Sequence, residues 1–208
     1  HFPSRIDFDQ VVQYSNFFFQ SLLIDQEDKL LLLKTSSAFF ETNQKNYFIS
    51  PNLSLTYFFI HQNPLYIYNH LKEKHSSSQE ALNEMFNFQN SLVSHQLINS
   101  KYKVLENRQS WNIHTNSWID PNVHNTYRGL NICQQDFFSD PHNTLTRAIF
   151  HLIQSEIKFE INYNLIDQFI KENPPHALKS YPDLSNKEKK ILLNNLDQNL
   201  LDQLNYQI

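Results

Sequence analysis

The chain has 208 residues, 40% hydrophobic and 14% aromatic, with a formal net charge of −4 and one cysteine, Cys133. That length fits one large domain or two small ones, and a composition this aromatic excludes intrinsic disorder. The charge, spread without a basic stripe, lacks the footprint of a nucleic-acid binder, and a lone cysteine excludes an internal disulfide framework or a cysteine-rich zinc site.

The single glycine, Gly129, stands where average usage would give about 15. Loops that cradle nucleotide phosphates need several glycines, so the common nucleotide and dinucleotide enzymes are excluded, as is the glycine-flanked serine elbow of hydrolases. Codon bias in an AT-rich genome is an equally good source of the deficit. No apolar run approaches the roughly 18 residues of a membrane span. The chain begins at His1, which leaves a removed upstream segment open. A cytoplasmic location is expected.

"RIDFDQVVQYSNFFFQSLL", from Arg5, has helical spacing through Phe8, Val11, Val12, Phe18, Phe19 and Leu22. "KLLLLK" and "NYFIS" are short apolar runs bounded by polar residues, and a small β-element is expected between Leu30 and Ile49. "SPNLSLTYFFIHQNPLYIYNHLKEKH" reads as two short helices. Asn63 caps the second and Pro64 takes its first position. A longer helix is expected from the capping box Ser77-x-x-Glu80 to about Arg108, with Ala81, Met85, Phe88 and Leu92 along one row.

Residues 109 to 139 break all periodicity. They hold Trp111, Trp118, the glycine and the cysteine, and a long irregular segment of this kind is expected to be a functional loop or a boundary. Beyond it, Asp140-Pro141 opens a helix whose apolar face is Leu145, Ile149, Leu152, Ile153 and Ile157. "NLIDQFIKEN" is a short helix stopped by Pro174-Pro175. Ser185-x-x-Glu188 is a second capping box, followed by Leu192, Leu196, Leu200 and Leu204 at steps of four, with a break near Asp197. The expected class is a mainly α, multi-helix fold with a small β-element. The expected organisation is an N-terminal helical module (1–108), the irregular segment (109–139) and a C-terminal helical module (140–208).

No catalytic signature stands out. His114, Asp120 and His124 could form a two-histidine, one-carboxylate metal set, although no metal-binding spacing accompanies them. Cys133 has only Arg128 as an electropositive neighbour and reads as a small buried hydrophobe. Trp111 and Trp118 suit protein recognition because aromatic side chains bury area at low entropic cost. They equally suit pinning a loop to the core. The leucine row of the last helix, Leu192 and Leu196 included, either closes the core or docks on a partner.

From Arg5 to about Leu71, the order "RIDFDQVVQYSNFFF", "AFFETNQKNYFI", "LSLTYFFIHQNPLYIYNHL" resembles the N-terminal half of methanobactin-type partner proteins. The resemblance implies a non-catalytic subunit without a cofactor of its own, paired with an iron-dependent modifying enzyme and helping it bind a ribosomal precursor peptide. It also implies a winged-helix-like N-terminal part in which the guest adds a strand, with Tyr47, Phe48 and Ile49 the place to look. The segment "YPDLSNKEKKILLNNLDQNLLDQL" is similar to helices of nitrogen-fixation-type leader-peptide domains through Leu184, Glu188, Leu192 and Leu193. The expected function is thus a peptide-recognition subunit in a heterodimer. The alternatives are a structural subunit of a large assembly and a metal-dependent enzyme using His114, Asp120 and His124.

Overall fold

The computed structural model describes residues 49–87, 91–96, 103–158, 160–175 and 184–206, with scattered positions between Val12 and Tyr47. Over these residues the protein is mainly helical with a small β-component. A 3-10 turn, Pro51–Leu53, leads into β1 (Tyr57–His61). Helices α1 (Pro64–Lys74) and α2 (Ser78–Phe86) follow, then the strands β2 (Ser91–Gln96) and β3 (Lys103–Arg108). Next come α3 (Trp111–Ile119), α4 (Pro121–Tyr127), β4 (Gly129–Cys133), α5 (Gln134–Ser139) and α6 (Pro141–Gln154). The chain closes with α7 (Tyr163–Glu172), α8 (Asn186–Asn195) and α9 (Gln198–Gln203).

β2 and β3 form an antiparallel pair, Ser91 opposite Arg108. β1 and β4 pair in parallel, Tyr57 with Gly129 through to His61 with Cys133. The parallel pair separates two faces. Tyr57, Phe59 and His61 lie on one face of β1, and α3 packs there through ring contacts of Phe59 with His114 and Trp118. Phe58, on the other face, meets His151 of α6. The main core lies to the side of the sheet. It joins Leu65 and Tyr68 of α1, Ala81, Leu82 and Met85 of α2, Trp111 of α3, and Leu184, Leu192, Leu196, Leu200 and Leu201 at the C-terminal end.

Several local expectations hold. Asn63 caps α1 by accepting from the Leu65 N–H, and Asp140 caps α6 by accepting from the Asn143 N–H. Ser185 and Glu188 make the reciprocal capping box. The break at Asp197 is a fresh cap that starts α9. At Ser77 only half of the box forms: Ser77 accepts from the Glu80 N–H, while the Glu80 carboxylate takes the Ser76 hydroxyl.

Three expectations are corrected. "YFFIH", read within a helix, is β1, because a short apolar run is ambiguous alone and its partner strand lies 72 residues downstream. The helix expected from Ser77 to Arg108 ends at Phe86, and a hairpin occupies much of the remainder. The row Ala81, Met85, Phe88, Leu92 continues the helical period into a segment that pairs as a strand. The β-element expected between Leu30 and Ile49 falls largely outside the described residues, which show one bridge there, between Glu41 and Tyr47. Residues 109 to 139 are not irregular. Their helices are six to nine residues long, too short to display a period, yet two are capped by Ser110 and Asp120. The helix expected from Arg5 lies largely outside the described residues, although Val12, Gln13, Asn16, Phe17 and Gln20 are helical.

Gly129 has a steric reason to be glycine. A Cβ there would overlap Cζ and the phenol oxygen of Tyr57, and that phenol donates to the Trp118 carbonyl. Among the described residues the positive-φ positions fall instead on Arg128, Glu156 and Asn205.

Candidate functional site

The sequence-predicted aromatic residues are covered by the protein itself. Trp111 is buried in the main core. Trp118 is half-buried, donates from its indole to the Ser37 carbonyl at 3.0 Å, and meets the Phe39 and Tyr57 rings. Tyr47 sits tilted against Phe39 and edge-on to Tyr127. The Ile49 carbonyl accepts from the Tyr127 phenol at 2.6 Å. Burial pushes that phenol up from its ordinary range, with Tyr47 and Glu41 adding to the shift. Phe48 lies outside the described residues. These contacts strap Ser37, Phe39, Tyr47 and Ile49 onto α3 and α4. Leu192 and Leu196 are likewise buried, at 0% and 7% exposure. These leucines help to close the core, while Leu193 beside them is 42% exposed.

His114, Asp120 and His124 do not combine as a ligand set. Among the described residues, no three His, Cys, Asp or Glu side chains gather closely enough to hold a metal. His114 packs on Phe59, Asp120 caps α4, and His124 stands edge-on to Tyr57. Burial, followed by the Asp120 charge, pushes the Tyr57 phenol up to about 12.

The carboxyl end of the parallel pair holds a polar cluster. His61, 8% exposed, shares a hydrogen bond between Nδ1 and the Tyr206 phenol at 2.5 Å. The same phenol lies 3.7 Å from Cys133 Sγ, which donates to Gln135 Oε1 at 3.0 Å. Tyr206 reaches this point because α9 ends in a left-handed turn at Asn205. There the Tyr206 N–H bonds the Leu201 carbonyl and the Asn205 N–H bonds that of Asp202. Burial lowers His61 to about 4, with the Asp136 carboxylate opposing. The imidazole is neutral at pH 7 and a weak base, so the cluster serves as a buried hydrogen-bond anchor for the C-terminal turn.

An open groove among the described residues lies between α6 and α7. The end of α6 also turns through a left-handed residue, Glu156, with the Ile157 N–H on the Leu152 carbonyl and the Glu156 N–H on that of Ile153. Asn162 then caps α7 by accepting from the Leu165 N–H. Leu145 and Ile149 of α6 and Leu165, Ile166 and Phe169 of α7 line an apolar groove of about 360 Å³, joined by Glu160 and Asn162. Ile166 is the only buried residue of α7; Leu165 is 60% exposed and Phe169 48%. His142 braces the pair, stacked on Tyr163 and 3.5 Å from Asp167.

Sequence reasoning identified both helices but not this groove. Leu165, Ile166, Phe169 and Ile170 make an amphipathic stripe, and the stripe does not reveal that its neighbours cover one residue of it. No family model, curated protein or solved structure matches this chain.

Proposed function

We propose that this chain is a non-catalytic recognition subunit that holds a peptide or protein segment in the α6–α7 groove for a modifying enzyme. The observation that carries the reading is the exposure of Leu165 and Phe169 beside an apolar groove of about 360 Å³. Apolar patches rimmed by polar groups mark interaction sites. A guest helix with apolar anchors three and four residues apart complements such a groove. The resemblance from Arg5 to Leu71 supports the kind of assembly: a heterodimer with an iron-dependent modifying enzyme, and a precursor peptide as guest. The metal chemistry then belongs to the partner.

Native co-purification of the untagged chain from its source cells, with mass spectrometry and metal analysis, tests this against a Leu165→Ser/Phe169→Ser variant. The wild type is expected to bring down one stoichiometric, iron-containing protein. The variant, unchanged in circular dichroism and melting temperature, is expected to lose that protein or the guest peptide. A variant that keeps both overturns the reading, as does a monodisperse wild-type chain carrying its own transition metal.

A further inference from the structure

We propose that the segment held in the α6–α7 groove is an apolar helix flanked by a lysine or arginine, and that Glu160 selects the basic residue. This inference rests on the recognition reading above and names the guest's chemistry. Several other described carboxylates near the helices are committed within the chain. Glu188 meets Lys72 at 2.6 Å, Glu84 meets Lys74 at 3.0 Å and also His75, Glu156 faces Arg128 at 3.4 Å, and Asp167 faces His142. Glu160 is exposed and has no hydrogen bond or ion pair among the described residues. It lines the apolar groove and also the more polar depression beside it, which runs along residues 160 to 165. Asn162, the other polar residue of the groove wall, spends its side-chain oxygen on the α7 cap.

The groove therefore has an apolar floor and a single uncompensated negative charge among its lining residues. A guest with the opposite charge flanking its apolar anchors satisfies both, whereas an acidic guest sets like charges together. α7 has ten residues, so the groove is roughly 15 Å long and suits about three turns of guest helix. The charge lies at the rim, where it sets selectivity and on-rate more than raw affinity.

The test is selection from a phage-displayed library of random peptides on three immobilised proteins: the wild type, Glu160→Lys, and Leu165→Ser/Phe169→Ser. Sequencing of the selected pools and fluorescence anisotropy of the synthesised winners supply the readout. The wild type is expected to enrich peptides with apolar residues three and four apart next to Lys or Arg. Replacing that basic residue by Glu should weaken binding about threefold to fivefold, and less in high salt. Glu160→Lys should reverse the charge preference, and the double variant should enrich neither class. Groove-dependent peptides with no charge preference on the wild type would overturn the inference and leave the recognition reading standing. A wild-type pool indistinguishable from that of the double variant would overturn both.

Discussion

The helices α8–α9 and the helix α7 carry the same kind of sequence and meet opposite fates. Both are short, capped and amphipathic, with leucine or phenylalanine at helical spacing. In α8–α9 the leucines enter a core already formed by α1, α2 and α3, so Leu192, Leu196, Leu200 and Leu201 are all buried. α7 packs chiefly against α6, which covers Ile166 and leaves Leu165 and Phe169 in solvent. Amphipathicity states that a helix has a face to bury; the number of neighbouring elements decides whether the chain buries it itself. Docking was one of two expectations for the leucine row, the other being closure of the core; the docking surface proposed above lies on the other helix.

The largest expected effect breaks this comparison directly. Leu192→Ala removes a side chain with 0% exposure and should cost about 3 kcal/mol, by lost transfer energy and the cavity left behind. Leu165→Ala should cost at most about 0.5 kcal/mol. Urea denaturation of the two variants measures the difference. Equal losses would mean that α7 is as well covered as α8, and the groove would no longer be an open surface.

Next in size is the anchor that ties the end of α9 to the sheet. Burial holds His61 at about 4, below its ordinary 6.5. Between those values the unfolded chain binds more protons than the folded one, so stability is full above pH 6.5 and falls as pH drops toward 4. The shift corresponds to about 3 kcal/mol across that window. His61→Gln keeps an acceptor for Tyr206 without a titrating group, so its stability should decline less between pH 6.5 and 5 than that of the wild type. Matching slopes for the two proteins would show that the anchor is not buried as described.

A third perturbation tests the inner face of the parallel pair, which behaves as core and not as groove. Gly129→Ala drives a methyl group into the Tyr57 ring, whose phenol is held on the Trp118 carbonyl. The cost of such overpacking is about 2 kcal/mol, read as a lowered melting temperature. Gly129→Ala combined with Tyr57→Phe should recover little, because the overlap involves ring carbon as well as oxygen. Tyr57→Leu should recover more.

The helical class, the Asn63, Asp140 and Ser185 caps and the Asp197 break were legible because they depend on residues within one turn of each other. The hydrogen bonds that stop and start those helices are local, so sequence order reports them. β1 and the contents of residues 109 to 139 were not legible. Tyr57–His61 becomes a strand only beside Gly129–Cys133, and no pattern inside "YFFIH" indicates that partner. The two tryptophans drew attention as recognition residues, and the alternative that they pin the chain to its core accounts for the burial of Trp111 and for the contacts of Trp118 with Ser37, Phe39 and Tyr57. The groove was hidden for the converse reason. Its residues form an ordinary amphipathic stripe, and what distinguishes them is that α6 is the chief neighbour of α7 among the described elements.

The smallest expected effect sharpens the comparison at the turns that leave α6 and α9. Both helices end in the same hydrogen-bonded motif with a left-handed residue, Glu156 at φ 73° after α6 and Asn205 at φ 54° after α9. Glutamate pays the full Cβ penalty in that conformation, while asparagine is among the side chains that tolerate it. Glu156→Gly relieves that strain and also removes the pair with Arg128, which is exposed on both sides at 53% and 78% and contributes little. Glycine adds freedom to the unfolded chain, which takes back part of the gain. The net result should be a stabilisation of about 0.5 kcal/mol. Asn205→Gly should give no gain, and by loosening the turn that aims Tyr206 at His61 it should give a small loss. If the two substitutions have the same sign and size, strain at the α6 end does not separate these helices, and the contrast between α7 and α8–α9 rests on packing alone.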